Sequence, residues 1–393
     1  MKTLIIHNNY SQKGGEETVV AFQKKLLEEN GHQVYLYVRD YNEMKTWWLG
    51  RSGGLFSAIY NPRSIKDLKK IIQSFQPEVA ILHNLFPIIS PAIIPFLKKQ
   101  GVKTIQILHN YRLLCPIGLF YMKGQICEKC TGKGREWNCL LNRCNGGFFK
   151  SFSYALRSFV ARKMNYFGAV DKFVVLSDFQ KNKFISNGFD ESKIAVIPNS
   201  LSFNASPQPS PKEREQFPSF GGVRGGDSRN FIGFVGRLTK EKGIFDFIQL
   251  SRLMPNYEFR VAGTRTAVLD NVDIPQNLKF VGFLDAAQLR DFYCKAKVIV
   301  FPSHLYEGFP MTFLEAFICK TPIIAYNLSA MPEIVEDGKE GFIVEVGDLC
   351  TIREKIELLF NNEKLWTEIS KNTELKYLQK YSVQSYYNKL SEL

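Results

Sequence analysis

Two carboxylates, Glu307 and Glu315, stand in the run Glu307-Gly308-Phe309-Pro310-Met311-Thr312-Phe313-Leu314-Glu315-Ala316. A carboxylate repels phosphate but accepts paired hydrogen bonds from neighbouring hydroxyls, so it suits the vicinal diols of sugars and riboses. The run follows a strand pattern ending at Phe301-Pro302-Ser303 and leads into a helical one. Glu307 then falls in the loop. Glu315 falls about one turn into the helix, on the side facing that loop, so both are expected to point at one ligand. The Gly308 and Phe309 amides and the helix N-terminus add positive potential for phosphate oxygens. Spacing alone fits a surface glutamate and a helix-capping glutamate equally well.

A second loop supplies cations. Gly236-Arg237-Leu238-Thr239-Lys240-Glu241-Lys242-Gly243 sits after an apolar strand and before a helix. Gly236 permits close backbone approach. Arg237 can grip two phosphate oxygens with its planar fork, and Lys242 adds a point charge. Taken alone, a charged solvent loop explains it as well.

Both loops need a scaffold of strands and helices. Short apolar runs alternate with helical patterns through 1–200: strands at Leu4–His7, Gln33–Val38, Val79–His83, Thr104–Leu108, Lys172–Leu176 and Ile194–Ile197, and a helix from about Glu17 to Asn30. The alternation stops at 205–230, where four Pro, four Gly and several charges predict a disordered linker or insertion. It restarts with strands at Phe231–Val235, Glu258–Ala262, Leu278–Val281, Val298–Phe301, Pro322–Tyr326 and Phe342–Val344, and helices close the chain. Parallel βαβ units in two doubly wound α/β halves follow, with ligands at the carboxyl ends of the strands, in the cleft between the halves.

The two loops together resemble retaining glycosyltransferase family 4, which has the two-domain GT-B fold. That family carries G-R-L-x-x-x-K-G early in its second domain and E-G-F-[GP]-x-x-x-x-E-A some seventy residues later. Gly236–Gly243 and Glu307–Ala316 match both, in order. Pro322, Leu278-Lys279-Phe280-Val281-Gly282 and Asn199 match further positions. The resemblance implies an α/β GT-B fold, two Rossmann-like domains facing a central cleft. It implies an acceptor-binding domain at 1–200, a linker at 201–230, a nucleotide-sugar domain at 231–375, and a C-terminal helix at 376–393 packing back on the first domain. Arg237 and Lys242 would hold the donor diphosphate. Glu307 would bind donor-sugar hydroxyls beside the Gly308 and Phe309 amides, and Glu315 the ribose. Gly14-Gly15 matches the glycine-rich loop after the first strand, placing Gly15 at the donor. His109, in Leu108-His109-Asn110, matches the histidine facing the transferred sugar. His83 is a weaker candidate on the acceptor side.

The implied reaction is retaining transfer of a sugar from a nucleoside diphosphate donor, by family majority a UDP-sugar, to a saccharide or lipid-linked acceptor in cell-surface polysaccharide or glycoconjugate synthesis. No enzyme nucleophile takes part; the leaving diphosphate takes the acceptor proton. No Asp-x-Asp motif occurs, so no catalytic divalent metal is expected. Two departures stand out. Pro310 replaces a frequent Gly, and Lys320 stands where the family often has the glycine that stops the helix, so another stop geometry is expected. Other GT-B enzymes (an epimerase or a phosphorylase) and a zinc-containing nucleic-acid-binding protein are the alternatives.

Cys127-x2-Cys130 and Cys139-x4-Cys144 have the spacing of a structural zinc site within a Cys-rich insertion at 115–147; reduced free thiols fit equally. Lys and Arg outnumber Asp and Glu by 28 to 14 in residues 1–200 and balance them, 23 to 24, thereafter. The basic half therefore suits an anionic partner, a membrane surface among them, while nucleic acid is not expected. Trp47-Trp48 and the stretch 148–167 combine aromatic and basic residues as a membrane-surface patch would, although a core-facing helix also fits 148–167. No run of eighteen apolar residues occurs. A cytoplasmic protein, or one peripheral on the cytosolic membrane face, is the expectation.

Overall fold

The computed structural model describes residues 1–10, 14–46, 57–201 and 229–393. Trp47-Trp48 and residues 205–228 of the expected linker lie outside the described residues. The chain divides into two compact units. The first comprises Met1–Met122, Cys127–Asn199 and Tyr387–Leu393, and the second Lys123–Ile126 and Ser200–Tyr386.

In the first unit, β1 (Lys2–Asn9), β2 (Gln33–Asp40), β3 (Val79–Leu82), β4 (Lys103–Ile107), β5 (Lys172–Val175) and β6 (Ile194–Val196) form one parallel sheet in the order 2-1-3-4-5-6. Its central strands are near-continuous apolar runs because helices cover both faces; Leu4, Ile5 and Ile6 are fully buried. Helix α1 (Gly15–Glu29) buries Val19, Val20, Phe22, Leu26 and Leu27 along one stripe and ends before Gly31, which takes φ +81°. Helices α2 (Pro62–Phe75), α3 (Ile93–Lys99), α4 (Phe148–Lys163) and α5 (Asp178–Ile185) complete the covering.

The second unit repeats the plan. Strands β7 (Phe231–Val235), β8 (Glu258–Ala262), β9 (Leu278–Gly282), β10 (Ala296–Phe301), β11 (Ile323–Tyr326) and β12 (Gly341–Val344) lie parallel in the order 9-8-7-10-11-12. Helices α6 (Ile244–Leu253), α7 (Ala286–Lys295), α8 (Met311–Ile318), α9 (Leu349–Asn361) and α10 (Glu363–Lys376) pack on it. Its core joins Phe234, Phe247 and Phe259 to Val298, Ile324, Ile356 and Ile369.

Strand order fixes where each sheet can hold a ligand. Connections leave in opposite directions from β1 and β3 in the first unit, and from β7 and β10 in the second. Such a reversal opens a crevice beyond the strands' carboxyl ends. The loops after β7 and β10 are the two cation- and carboxylate-bearing loops. Beyond β1, β3 and β4 stand Gly14, His83 and His109.

Helix α8 ends differently from expectation. Lys320 takes φ +58°, the left-handed conformation a glycine would supply. Its amide bonds the Phe317 carbonyl and that of Thr321 bonds Ala316, so the ordinary left-handed stop is kept with a lysine in it.

Candidate functional site

In the second unit, Lys242 Nζ donates to Glu307 Oε1 at 2.5 Å. Ser303 Oγ donates to the same oxygen at 2.9 Å, and the Glu307 amide donates to Ser329 Oγ at 3.0 Å. Lys242 and Glu307 are each less than one-fifth exposed. The two loops singled out in the sequence therefore meet through a largely desolvated ion pair at the strand-order reversal. The ammonium lets a carboxylate sit beside a diphosphate site without open repulsion. Among the described residues the Gly308 and Phe309 amides have no protein partner, and both residues are buried at the entrance to α8. They are donors in place for an anion, joined by the helix N-terminus. Arg237 is exposed, and nothing among the described residues engages its guanidinium.

Close backbone approach brings these loops together, at glycines other than the one expected. A Cβ on Gly243, at φ +81°, would lie 1.9 Å from the Pro302 carbonyl oxygen, and one on Gly263 would lie 2.0 Å from the Gly236 carbonyl oxygen. At Gly236 itself a Cβ would meet only the Phe234 ring, at 3.9 Å. What approaches closely at Gly236 is its carbonyl.

Glu315 accepts from Tyr293 Oη at 2.6 Å. Burial raises the Glu315 carboxyl above its ordinary value, and the tyrosine hydrogen bond opposes that rise. A further cluster was not legible in the sequence: Asp246 on α6 receives His304 Nε2 at 2.8 Å and Tyr326 Oη at 2.5 Å. It ties the loop after β10 to α6, through residues far apart in sequence.

In the first unit, His83 Nδ1 lies 2.8 Å from His109 Nε2, and His83 Nε2 lies 2.8 Å from Gln23 Oε1. If Gln23 accepts at its oxygen, His83 donates to Gln23 and His109 donates to His83, leaving both rings neutral. Burial holds His83 well below the usual histidine range, with His109 and His7 adding to it. His109 is lowered too, by burial first, against the pull of Glu16 and Glu17. Gly15 opens α1, and the Glu17 carboxylate reaches back to the Gly14 amide at 2.8 Å. Glu16 Oε1 accepts from Asn110 Nδ2 at 3.0 Å, and Arg112 Nη1 donates to Asn84 Oδ1 at 2.9 Å. Glu16, Asn84, Phe86, His109, Asn110 and Arg112 line one pocket.

The five cysteines 115, 127, 130, 139 and 144 are free thiols. Cys130 and Cys139 share a small core with Ala155. Among the described residues no three His, Cys, Asp or Glu side chains form a metal-binding group. Burial pushes Cys130 up to about 12, whereas the Cys139 thiol, donating to Cys144, brings Cys144 down to about 7.

Residues 13–202 match the family model described as Glycosyltransferase Family 4, and residues 223–376 match Glycosyl transferases group 1. Together these span most of the chain. The chain belongs to the family 4, group 1 glycosyltransferases. It is 31% identical over 259 residues to the capsular polysaccharide biosynthesis glycosyltransferase CapM of Staphylococcus aureus, a match covering 62% of this chain and 66% of that one. It is 24% identical to poly(ribitol-phosphate) alpha-N-acetylglucosaminyltransferase of S. aureus strain COL, covering 61% and 45%. The chain thus spans at most about two thirds of the length of these two relatives. Among solved structures, sucrose-phosphate synthase from Thermosynechococcus elongatus matches with TM-score 0.72 at 15% identity, covering 100% of this chain and 97% of that one. Anabaena Alr3699/HepE, solved with UDP-glucose, matches with TM-score 0.63 at 16% identity, covering 100% of both. At such identity these likenesses concern the fold, which is that of the GT-B glycosyltransferases.

Proposed function

We propose that this glycosyltransferase moves a sugar from a nucleoside diphosphate sugar, a UDP-sugar, to a saccharide or lipid-linked acceptor in cell-surface polysaccharide synthesis, with retention of configuration. The Lys242–Glu307 pair carries the reading. It sets a phosphate-binding cation and a hydroxyl-binding carboxylate side by side, next to the unpartnered Gly308 and Phe309 amides. Lys242, Arg237 and those amides stabilise the charge growing on the diphosphate, whose oxygen takes the acceptor proton. Glu307 holds donor-sugar hydroxyls and Glu315 the ribose. Gly15 lies at the donor, and neutral His109, its N–H spent on His83, accepts a hydrogen bond from a hydroxyl of the transferred sugar rather than serving as an acid or base. The role of CapM in capsular polysaccharide biosynthesis supports the acceptor class, and the UDP-glucose bound by Alr3699/HepE supports the donor.

A thermal-shift screen of UDP-, GDP-, ADP- and TDP-sugars tests the donor. UDP-sugars should stabilise the wild type and lose most of that effect on Lys242→Ala; no stabilisation by any nucleotide sugar would sink the reading. Proton NMR of the product fixes the anomeric outcome.

Two finer parts belong to the same proposal. Peripheral membrane contact is supported by the first unit: Leu141 and Phe149 are 77% and 84% exposed, Phe148 packs edge-on against Phe149, and residues 137–170 contain five Lys/Arg and no Asp or Glu. Among the described residues no helix is long and apolar enough to cross a membrane. Phe149→Ser with Leu141→Ser should abolish sedimentation with anionic vesicles; unchanged sedimentation overturns this part. A structural zinc on Cys127, Cys130, Cys139 and Cys144 is supported only by the mutual electrostatic influence of these thiols, and their present arrangement does not fit a bound ion. Elemental analysis of the purified protein decides it, one equivalent of zinc against none.

A further inference from the structure

Two arginines in the first unit carry more positive charge than their surroundings balance. Arg157, on α4, is 4% exposed. Its guanidinium lies between the Tyr154 ring at 4.0 Å and the Phe86 ring at 4.4 Å, and Nη2 donates to the Pro116 carbonyl at 2.8 Å. Among the described residues no carboxylate pairs with it, and its buried Nε has no partner. Arg112 shares the Phe86 ring at 5.9 Å and lies 5.7 Å from Tyr10. Its Nε is also buried without a partner. Glu16 is the acid that faces Arg112, and it already accepts from Asn110.

The charges do not cancel: Glu16 faces Arg112, and no carboxylate among the described residues acts on Arg157. Burying an uncompensated charge is as costly as breaking a buried pair. Cation–π contact recovers only part of that cost. Burial and the neighbouring Arg112 pull Arg157 down to about 9, as expected of a cation short of a counter-ion. Arg112 lines the pocket beside His109 and Asn110. The buried Oε2 of Glu16, which lines it too, has no donor at hydrogen-bond distance among the described residues, although the Tyr10 phenol lies close enough to act on the carboxylate.

We infer that Arg112, backed by the buried charge of Arg157 behind Phe86, forms an oxyanion subsite at this pocket, and that the acceptor carries a phosphate or carboxylate that Arg112 binds. Glu16 Oε2 then takes a hydrogen bond from a hydroxyl of the same acceptor. Guanidiniums suit this task because their planar N–H edge matches two oxygens of one anion. That the ligand is an acceptor rests on the transfer reading; the oxyanion site itself does not.

The test uses the full chain with saturating UDP, so that the donor loops are occupied. Inorganic phosphate, sodium glucuronate and glucose are titrated in separately by calorimetry, into wild type, Arg112→Gln and Arg157→Gln. At least one oxyanion should bind wild type and glucose should not, and each substitution should weaken binding tenfold or more. Response to phosphate alone assigns a phosphorylated acceptor, and response to glucuronate alone assigns a uronic one. If Arg157→Gln misfolds through loss of its clamp on Pro116, as circular dichroism would show, the less buried Arg112 decides alone. Absence of oxyanion binding by wild type, or full binding by Arg112→Gln, overturns the inference. Failure of UDP itself to bind wild type counts instead against the donor reading, and the anion titrations are then run without it.

Discussion

Lys242 and Glu307 neutralise one another, yet the proposed ligand asks different things of them. A diphosphate needs the ammonium; a sugar needs the carboxylate. Glu307→Gln frees Lys242 from its partner while keeping the side chain's shape. UDP alone should therefore bind this variant at least as tightly as wild type, whereas kcat/KM for the UDP-sugar should fall about a hundredfold, as expected for losing charged hydrogen bonds of about 1.5–3 kcal/mol. Lys242→Met should do the reverse and weaken UDP itself by tenfold or more. Calorimetry with UDP and initial rates with the sugar donor separate the two. If both variants lose UDP equally, Glu307 does not read the sugar. Among the described residues Glu315, unlike Glu307, pairs with no cation, and the Tyr293 hydrogen bond opposes its buried rise. A carboxylate that must accept from a ribose is thereby held to one orientation.

Turns and loops decide whether these side chains meet, and there the sequence was legible only in part. Every central strand was readable because parallel strands buried on both faces leave uninterrupted apolar runs. The two loops were readable because their residue types are rare together. Contacts between loops were not, since no local pattern encodes that Gly243 must pass the Pro302 carbonyl. The same holds for Asp246, His304 and Tyr326, and for Gln23 behind His83. Arg157 was hidden otherwise: it stands among the basic residues of the 148–167 stretch that suggested a membrane-surface patch, yet in the fold it is buried, with Ser151, Ala155 and Ala161. Two substitutions contrast the glycine that must be there with the one that is missing. Gly243→Ala should cost about 2–4 kcal/mol, because the clash is with backbone at a positive φ. Lys320→Gly should cost at most about 0.5 kcal/mol, because relief of the left-handed lysine offsets the extra chain entropy and the loss of a half-exposed pair with Glu374. Urea unfolding measures both. A large loss at Lys320→Gly would mean that the ion pair, not the backbone, sets that helix end.

At the scale of the whole chain, the two units carry different sensitivities. His83 and His109 sit at the strand-order reversal of the first unit, both lowered in the folded state, with His7, Glu16 and Glu17 facing them. An unfolded histidine titrates near 6.5. Below that pH the unfolded chain takes up protons that the folded rings refuse, so their share of stability is complete above about 6.5 and declines as the pH falls toward the folded values. The second unit's loops respond instead to nucleotide, whose binding adds stability by mass action. Peptide-resolved amide exchange, corrected for the intrinsic effect of pH, reads the units separately. Moving from pH 7.5 to 5.5 should raise exchange in β1, β3 and β4 more than in β7 and β10. Saturating UDP should protect 236–243 and 302–311 most strongly. Asn replacing His83 removes one refused proton and should flatten the acid response of the first unit without altering the response to UDP. An acid response that is uniform along the chain, or equally steep without His83, would show that the buried imidazoles do not set it.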